Sequence, residues 1–269
     1  MKFAISNIAW DPSEDDVVSG IMKEFGIGAV EVAPTKAWAQ PISAGADDIT
    51  VYRSHWNGRG VDVVALQALL FGKPELKVFE PEARAGLLEY LRAISRIGHG
   101  LGTGPMVFGS PKNRQRGEMP YDKAFEKAAE FFTELAMIAE EEGAIFVLEP
   151  NPPVYGCDFI TTAREATDLV QAVDRPGLRL HLDAGIMHLN GEDPAKAIEE
   201  GAPYLAHFHI SEPELAVIGT RGVDHATIAS ALKSVGYAGF VSIEMRNGWT
   251  SPDTDAVRQA VESAVKFYA

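Results

Sequence analysis

Short apolar, β-branched runs alternate with helix-like stretches along the whole chain, and this alternation narrows the accessible folds more than anything else in it. The runs are FAISNIA (3–9), GAVEVAP (28–34), VDVVALQALL (61–70), PMVFGS (105–110), AIFVLEP (144–150), LRLHLDAG (178–185), LAHFHISEP (205–213) and FVSIEMR (240–246). Continuous runs of this length are what strands buried on both faces look like, as in a parallel sheet. Helix-like segments separate them. The one over 120–142 places Ala124, Ala128, Phe131, Phe132, Leu135 and Ile138 at the three-to-four spacing of a single buried face. Pro12, Pro81 and Pro252 stand where helices open, and Gly26, Gly98, Gly143 and Gly236 where they close. Eight such units without a linker or a change of composition predict an α/β fold, a single (β/α)8 barrel over residues 1–269. A doubly wound open sheet would call for a glycine-rich phosphate-binding first turn, and the first turn here reads AWDPSEDD.

The length of 269 residues suits one barrel of about 250. Lys plus Arg number 24 against 38 Asp plus Glu, a net charge of −14, which argues against nucleic acid because phosphates need a basic footprint. The single cysteine, Cys157, excludes an internal disulfide and a cysteine-rich zinc site. No apolar run reaches the roughly 18 residues of a membrane span, and MKFAISNIAWDPSEDD turns acidic too early for a secretory leader. A cytoplasmic setting without a membrane partner is therefore the expectation.

Four of the runs deliver an ionisable group near their C-terminal ends: Glu149, Asp183, His209 and Glu244, spaced by 34, 26 and 35 residues. Singly, a strand-end carboxylate is most often a helix cap or ion-pair partner, and His209 a satisfied core histidine. Four correctly typed groups on four consecutive strands reverse that balance. At one end of a parallel barrel they converge, and three converging carboxylates repel one another unless a cation lies between them. The mostly oxygen donor set suits one divalent ion, Mn2+, Mg2+ or Co2+. Zn2+ is compatible but usually takes more nitrogen or sulfur. The period of two along a strand adds His181, His207, Ser242 and Arg246 to the same sides.

The runs LEPNPP, HLDAG, HFHISEP and GYAGFVSIEMR together resemble the xylose-isomerase-like TIM-barrel superfamily, in particular its sugar phosphate isomerase/epimerase branch. The resemblance implies that Glu149, Asp183, His209 and Glu244 ligate the metal and that Glu149 and Glu244 form an acid-base pair. The implied activity is a divalent-metal-dependent sugar or sugar phosphate isomerase or epimerase, working through a metal-stabilised enediolate on a small carbohydrate. It also implies that Arg221 contacts substrate and steadies the strand-eight Glu. Barrels of this family commonly associate into homo-oligomers, although nothing in the sequence marks an interface.

Two departures qualify the resemblance. Ile186 stands three residues after Asp183, where ketose epimerases place a histidine, with His188 two positions later; Tyr155 or Gly156 stands where they place a second glutamate. His188, His181 and His207 are the candidates to compensate as substrate-binding groups. Gln67 and Trp10, with Glu31 and Trp38, are weaker candidates for a sugar platform. Lys112, Arg114 and Arg116 in the loop after strand four are candidates for an anion site or a lid. Two alternatives stay open: a metal-dependent dehydratase of the inosose or dehydroshikimate type, and a non-catalytic sugar-binding barrel. A DNA-repair endonuclease on the same barrel is disfavoured, since it needs extra histidines where Gln67, Phe108 and Ile186 stand.

Overall fold

A computed structural model describes all 269 residues. Eight parallel strands close into a barrel in sequence order: β1 (Lys2–Ser6), β2 (Ala29–Val32), β3 (Asp62–Leu66), β4 (Pro105–Phe108), β5 (Ile145–Leu148), β6 (Leu178–Asp183), β7 (Leu205–Ser211) and β8 (Phe240–Glu244). Closure is made by β8 pairing with β1 from Lys2↔Phe240 to Ile5↔Ile243. Ten helices connect and surround the strands: α1 (Asp15–Glu24), α2 (Pro34–Ala37), α3 (Ala46–Asn57), α4 (Pro81–Leu101), α5 (Tyr121–Glu142), α6 (Ala163–Val173), α7 (Ala184–Asn190), α8 (Pro194–Gly201), α9 (His225–Ser234) and α10 (Asp253–Tyr268). None is long and apolar enough to cross a membrane.

Each expected strand is present, with informative differences at the ends. The third run continues apolar to Leu70, yet pairing stops at Leu66, and Ala68 turns the chain in the left-handed region at φ 52. Leu69 and Leu70 are buried as anchors of a loop, with the Tyr90 hydroxyl donating to the Leu69 carbonyl. Apolarity there reports burial, not extension. The six apolar positions expected on the 120–142 helix are all buried in α5. Gly98 does not end α4; the helix runs to Leu101 and Gly102 closes it at φ 83. Gly98 is instead a close-packing site, where an added Cβ would lie 3.2 Å from Met106 Sδ.

The loop after β4 corrects a second expectation. Arg114 is fully buried and offers no anion site. Its guanidinium donates to the carbonyls of Glu149 (2.7 Å), Phe159 (3.1 Å), Ile160 (3.3 Å), Phe108 (3.4 Å) and Gly109. These belong to the C-terminal ends and following loops of β4 and β5, so one side chain clamps both around the base of Glu149. Arg116 is held by the Asp158 and Met119 carbonyls, and Lys112 is exposed. An Arg114→Leu variant takes one donor from each of five carbonyls: Phe108 and Ile160 keep the N–H groups of Glu149 and Asn151, Phe159 keeps the Cys157 thiol, Glu149 keeps a long Asn151 contact, and Gly109 is left without a partner. Because a buried unsatisfied polar group costs about 1–3 kcal/mol, urea unfolding is expected to show a loss of about that size with little change of slope; an unaltered midpoint would mean the clamp is dispensable.

Candidate metal centre

The strand ends bring the four sequence-selected groups together. His209 is fully buried, and its Nδ1 lies 3.3 Å from Glu244 Oε2, 3.6 Å from Glu149 Oε1 and 3.8 Å from Asp183 Oδ2. Ligand atoms of Glu149, Asp183 and His209 all fall within 4.8 Å of one another, and Glu244 approaches the same Nδ1 from β8. Each carboxylate is oriented from outside the cluster. Asp183 caps α7, with Oδ1 accepting from the Ile186 N–H (2.6 Å) and Oδ2 from Ser211 Oγ (2.6 Å). Asn151 Nδ2 donates to Glu149 Oε2 at 2.9 Å, which leaves Oε1 toward His209. Gly109 lies so near Glu149 Oε2 that an added Cβ would collide with the carboxylate.

Beneath the cluster is a residue that the sequence reading placed only among possible platform groups. Glu31, on β2 and fully buried, accepts from His209 Nε2 at 2.9 Å, His207 Nε2 at 3.1 Å and Ser242 Oγ at 2.6 Å. Glu31 engages Nε2 and leaves Nδ1 of His209 facing the carboxylates, the arrangement by which an outer carboxylate orients a metal-bound histidine. Against burial, Glu31 and Glu244 hold this imidazole well above its usual range, so in the metal-free protein Nδ1 also carries a proton, which a metal would displace. That Nδ1 is buried without a hydrogen-bond partner. No sequence motif announces the Glu31–His209 contact, because the two residues are 178 positions apart.

The charges at the site suit a bound cation. Burial, with repulsion from Glu244 and Glu149, pushes Asp183 up to about 8, and burial also raises Glu244. Burial opposes ionisation of Glu149, yet His181 and His209 hold it far below the usual carboxylate range. Burial likewise opposes ionisation of Glu31, but His209 and His207 keep it well below that range. Burial and the field of His209 push His181 down to about 3. Two hard carboxylates, a third held by a serine and a helix N–H, and an orphaned imidazole nitrogen form a set that fits a divalent ion.

The proposed substrate groups fare less well. His181 lies under Glu149, with Nε2 3.3 Å from Oε1 but outside hydrogen-bond geometry, and His207 lies under His209 on Glu31; neither lines the cavity. His188 is exposed, because α7 starts at Ala184 and buries its first turn, which leaves the fifth residue facing outward. Gln67 is spent within the barrel, donating to Ser6 Oγ at 2.6 Å. Trp10 is fully buried against Trp56, with Nε1 donating to Asp15 at 2.7 Å. Arg246 is exposed and lies over Trp249. The ion-pair partner of Arg221 is Glu214 at 3.7 Å, not Glu244. The groups that do line the mouth with the metal set include Asn151, Tyr155, Ile186, Glu212, Glu214 and Leu215, around a cavity of about 370 Å3. Glu212 organises the loop after β7: it accepts from the Gly219 N–H (2.7 Å), the Arg221 N–H (3.2 Å) and His225 Nε2 (3.1 Å), and His225 Nδ1 meets the Tyr268 hydroxyl of α10 at 2.9 Å.

Two outcomes follow for metal binding. Glu31→Gln is expected to weaken divalent-ion affinity by about 10–100-fold, measured by calorimetry on the chelator-stripped protein; unchanged affinity would remove Glu31 from the orienting role. Asp183 is pushed up to about 8 in the folded chain from the 3.8 of an ordinary aspartate, so the folded metal-free chain binds the extra proton. The stability this contributes is complete below the unfolded value and is lost as pH rises through about 8. His209, pushed down by burial but held well above the ordinary imidazole range by Glu31 and Glu244, acts with the same sign, while His181, lowered to about 3, opposes it until the unfolded imidazole has titrated. Between about pH 7 and 8 the metal-free protein therefore loses roughly 1 kcal/mol per pH unit. Saturating metal displaces the proton and flattens that slope, which thermal unfolding with and without Mn2+ reads directly.

The family model for the xylose isomerase-like TIM barrel matches residues 20–267. A ketose 3-epimerase from Arthrobacter globiformis is 33% identical over 90 residues, 34% of this chain and 31% of that protein, so the match spans about a third of that relative's length. In three dimensions, a D-psicose 3-epimerase from Clostridium cellulolyticum H10, solved with D-tagatose, superposes with a TM-score of 0.80 at 19% identity, covering 100% of this chain and 98% of that one. A 3-keto-D-glucoside 4-epimerase from E. coli, in its apo form, gives 0.80 at 18% identity over 99% of each chain. At those identities the likeness is one of fold. The family match across nearly the whole barrel shows that the chain belongs to the xylose isomerase-like TIM-barrel family.

Proposed function

We propose that the protein is a divalent-metal-dependent sugar epimerase or isomerase of the ketose 3-epimerase kind, with Glu149 and Glu244 as its acid-base pair. One observation carries the reading: two carboxylates from β5 and β8 flank the unpartnered Nδ1 of His209, at 3.6 and 3.3 Å, at the floor of a small open cavity. The resemblance of part of the chain to a ketose 3-epimerase supports the choice of substrate class. The cavity volume of about 370 Å3 suits a small molecule, within the roughly 300–1,000 Å3 of such sites.

Glu149, Asp183, His209 and Glu244 would hold the ion, and Mn2+, Mg2+ or Co2+ match their mainly oxygen donors best. When bound, the ion supplies Lewis acidity to a carbonyl and its neighbouring hydroxyl. The remaining chemistry belongs to the chain. Glu149 or Glu244 removes the proton from the carbon beside the carbonyl, and the opposite carboxylate returns one to the other face, which inverts that centre. Asn151, by holding Oε2, fixes the Glu149 carboxylate with Oε1 toward His209 and the metal set. Asp183, bound by Ser211 and the Ile186 N–H, is the least free of the three and serves as a ligand only.

The test is solvent exchange. Chelator-stripped protein is supplied with Mn2+, Mg2+, Co2+ or Zn2+ and a panel of ketoses in D2O, and the products are followed by NMR. Deuterium is expected beside the carbonyl only with metal, and Glu149→Gln or Glu244→Gln should each slow its appearance by about 10²–10⁴-fold. Loss of water from the labelled product would mark a dehydratase. Tight metal binding without exchange on any ketose would refute the epimerase reading.

A further inference from the structure

Each hydroxyl of a small polyhydroxy ketone brings one hydrogen and two lone pairs. The cavity over the metal set meets the hydrogens with carboxylates, those of Glu149, Asp183, Glu212, Glu214 and Glu244. Donors for the lone pairs are scarce. The uncharged polar side chains of the wall that carry them are Asn151, Ser211 and Tyr155. Two of these are spent on the metal set. Asn151 Nδ2 donates to Glu149 Oε2 at 2.9 Å and, at 3.5 Å, to the Glu149 carbonyl, and Ser211 Oγ donates to Asp183 Oδ2 at 2.6 Å. The Tyr155 hydroxyl differs. It accepts from the Glu214 N–H at 3.1 Å and gives its own hydrogen to no group of the protein. The exposed cations Lys112 and Arg221 stand beside the rim, outside the wall itself.

Both loops that meet at this phenol hold it in place. Tyr155 ends a short turn over Pro153–Tyr155, its N–H donating to the Pro152 carbonyl at 3.0 Å. Gly156 closes the turn at φ 81, and its carbonyl accepts from Gln115 Nε2 at 2.7 Å. From the β7 side, Glu214 and Leu215 both adopt left-handed conformations, at φ 64 and 53, which two successive non-glycine residues adopt only when their surroundings impose it. The Leu215 carbonyl accepts from the Arg246 N–H at 3.0 Å and Trp249 Nε1 at 2.9 Å, and this turn aims the Glu214 N–H at the phenolic oxygen. With one lone pair so occupied, the hydroxyl hydrogen is left to point elsewhere. Burial, with the carboxylates of Asp183, Glu244 and Glu214 nearby, pushes this half-buried phenol above its ordinary range despite the Glu214 N–H, so it keeps that hydrogen.

We propose that Tyr155 is a specificity-determining donor of this cavity, giving its phenolic hydrogen to an oxygen of the bound ketose outside the carbonyl and its reacting neighbour; this rests on the functional reading above. A ketose whose reacting carbons lie over Glu149 and Glu244 extends its remaining carbons along the wall, where the phenol is the side-chain donor still open. The contact makes the cavity demand an oxygen at one carbon of the substrate. A sugar lacking that oxygen leaves the phenolic hydrogen without a partner in a half-buried place, the condition under which a site discriminates against a deoxygenated analogue.

The test measures binding separately from turnover. Protein loaded with Mn2+ is titrated with D-tagatose, D-fructose and L-ribulose, and paramagnetic broadening of the sugar protons gives each affinity. The sugar that binds best is then compared with its singly deoxygenated forms, in wild-type protein and in Tyr155→Phe, with far-UV circular dichroism confirming that the variant is folded. Tyr155→Phe is expected to weaken the parent sugar by about three- to tenfold, the worth of a neutral hydrogen bond. One deoxy form should bind wild-type protein more weakly by a similar factor and be indifferent to the substitution, because the same pair of groups has been broken from the other side. Unchanged affinity of the parent sugar in Tyr155→Phe would overturn the proposal. So would an equal loss for the parent and every deoxy form, which would leave the hydroxyl only fastening the two loops. Failure of the epimerase reading is distinguishable: it shows as ketose binding without solvent deuterium in the product, and the Tyr155 contact then stands. No ketose binding at all refutes both.

Discussion

The contact between Glu31 and His209 governs the upper half of this barrel. A fully buried carboxylate is tolerable only when its charge is matched by donors, and Glu31 finds three, on His207, His209 and Ser242. The match is reciprocal. Glu31 holds Nε2 of His209 and so fixes Nδ1 as the nitrogen that three carboxylates approach from above. Without that pivot the ring would lose its fixed orientation toward the candidate metal ligands. Their mutual repulsion is visible in Asp183, raised to about 8. The cluster is thus held together by the barrel against its own charge, a preorganisation that a cation relieves on binding.

How much of this was legible in the sequence depends on whether a feature is local. An ionisable group at the C-terminal end of a β-branched run is placed by strand geometry alone. Glu149, Asp183, His209 and Glu244 could therefore be picked out from strings of seven to nine residues, and the structure brings them together. The barrel itself was legible for the same reason, since each strand and helix carries its own period. What failed needed long-range knowledge. Glu31 reads as one of several polar residues on an early strand until β7 is seen beside it. His188 was a candidate because it stands two positions after the place where ketose epimerases carry a histidine, whereas Asp183 caps a helix that carries it outward. Three cations in the polar loop after β4 looked like an anion site. The clamp made by Arg114 can be recognised only once the free carbonyls at the ends of β4 and β5 are known to converge on it.

The mouth of the barrel shows the same division between chemistry and support. The candidate ligand atoms come from strand ends, whereas the wall of the cavity comes from loops whose shape is imposed from behind by Arg114 under the β5 loop and Trp249 behind Leu215, and from within by Glu212, which lines the wall and also gathers the β7 loop's N–H groups. Substitutions that leave every ligand in place can therefore still reshape what the cavity admits, through the loops alone.

The hydrogen-bonded chain from Glu212 through His225 to Tyr268 gives the closing helix a part in the site. The form of the β7 loop depends on α10 packing beside β8 and α9, because the loop's central carboxylate is hydrogen-bonded by His225, which α10 in turn secures through Tyr268. Anything fused or trimmed near Tyr268 would be felt at the opposite end of that relay, at the opening where substrate enters.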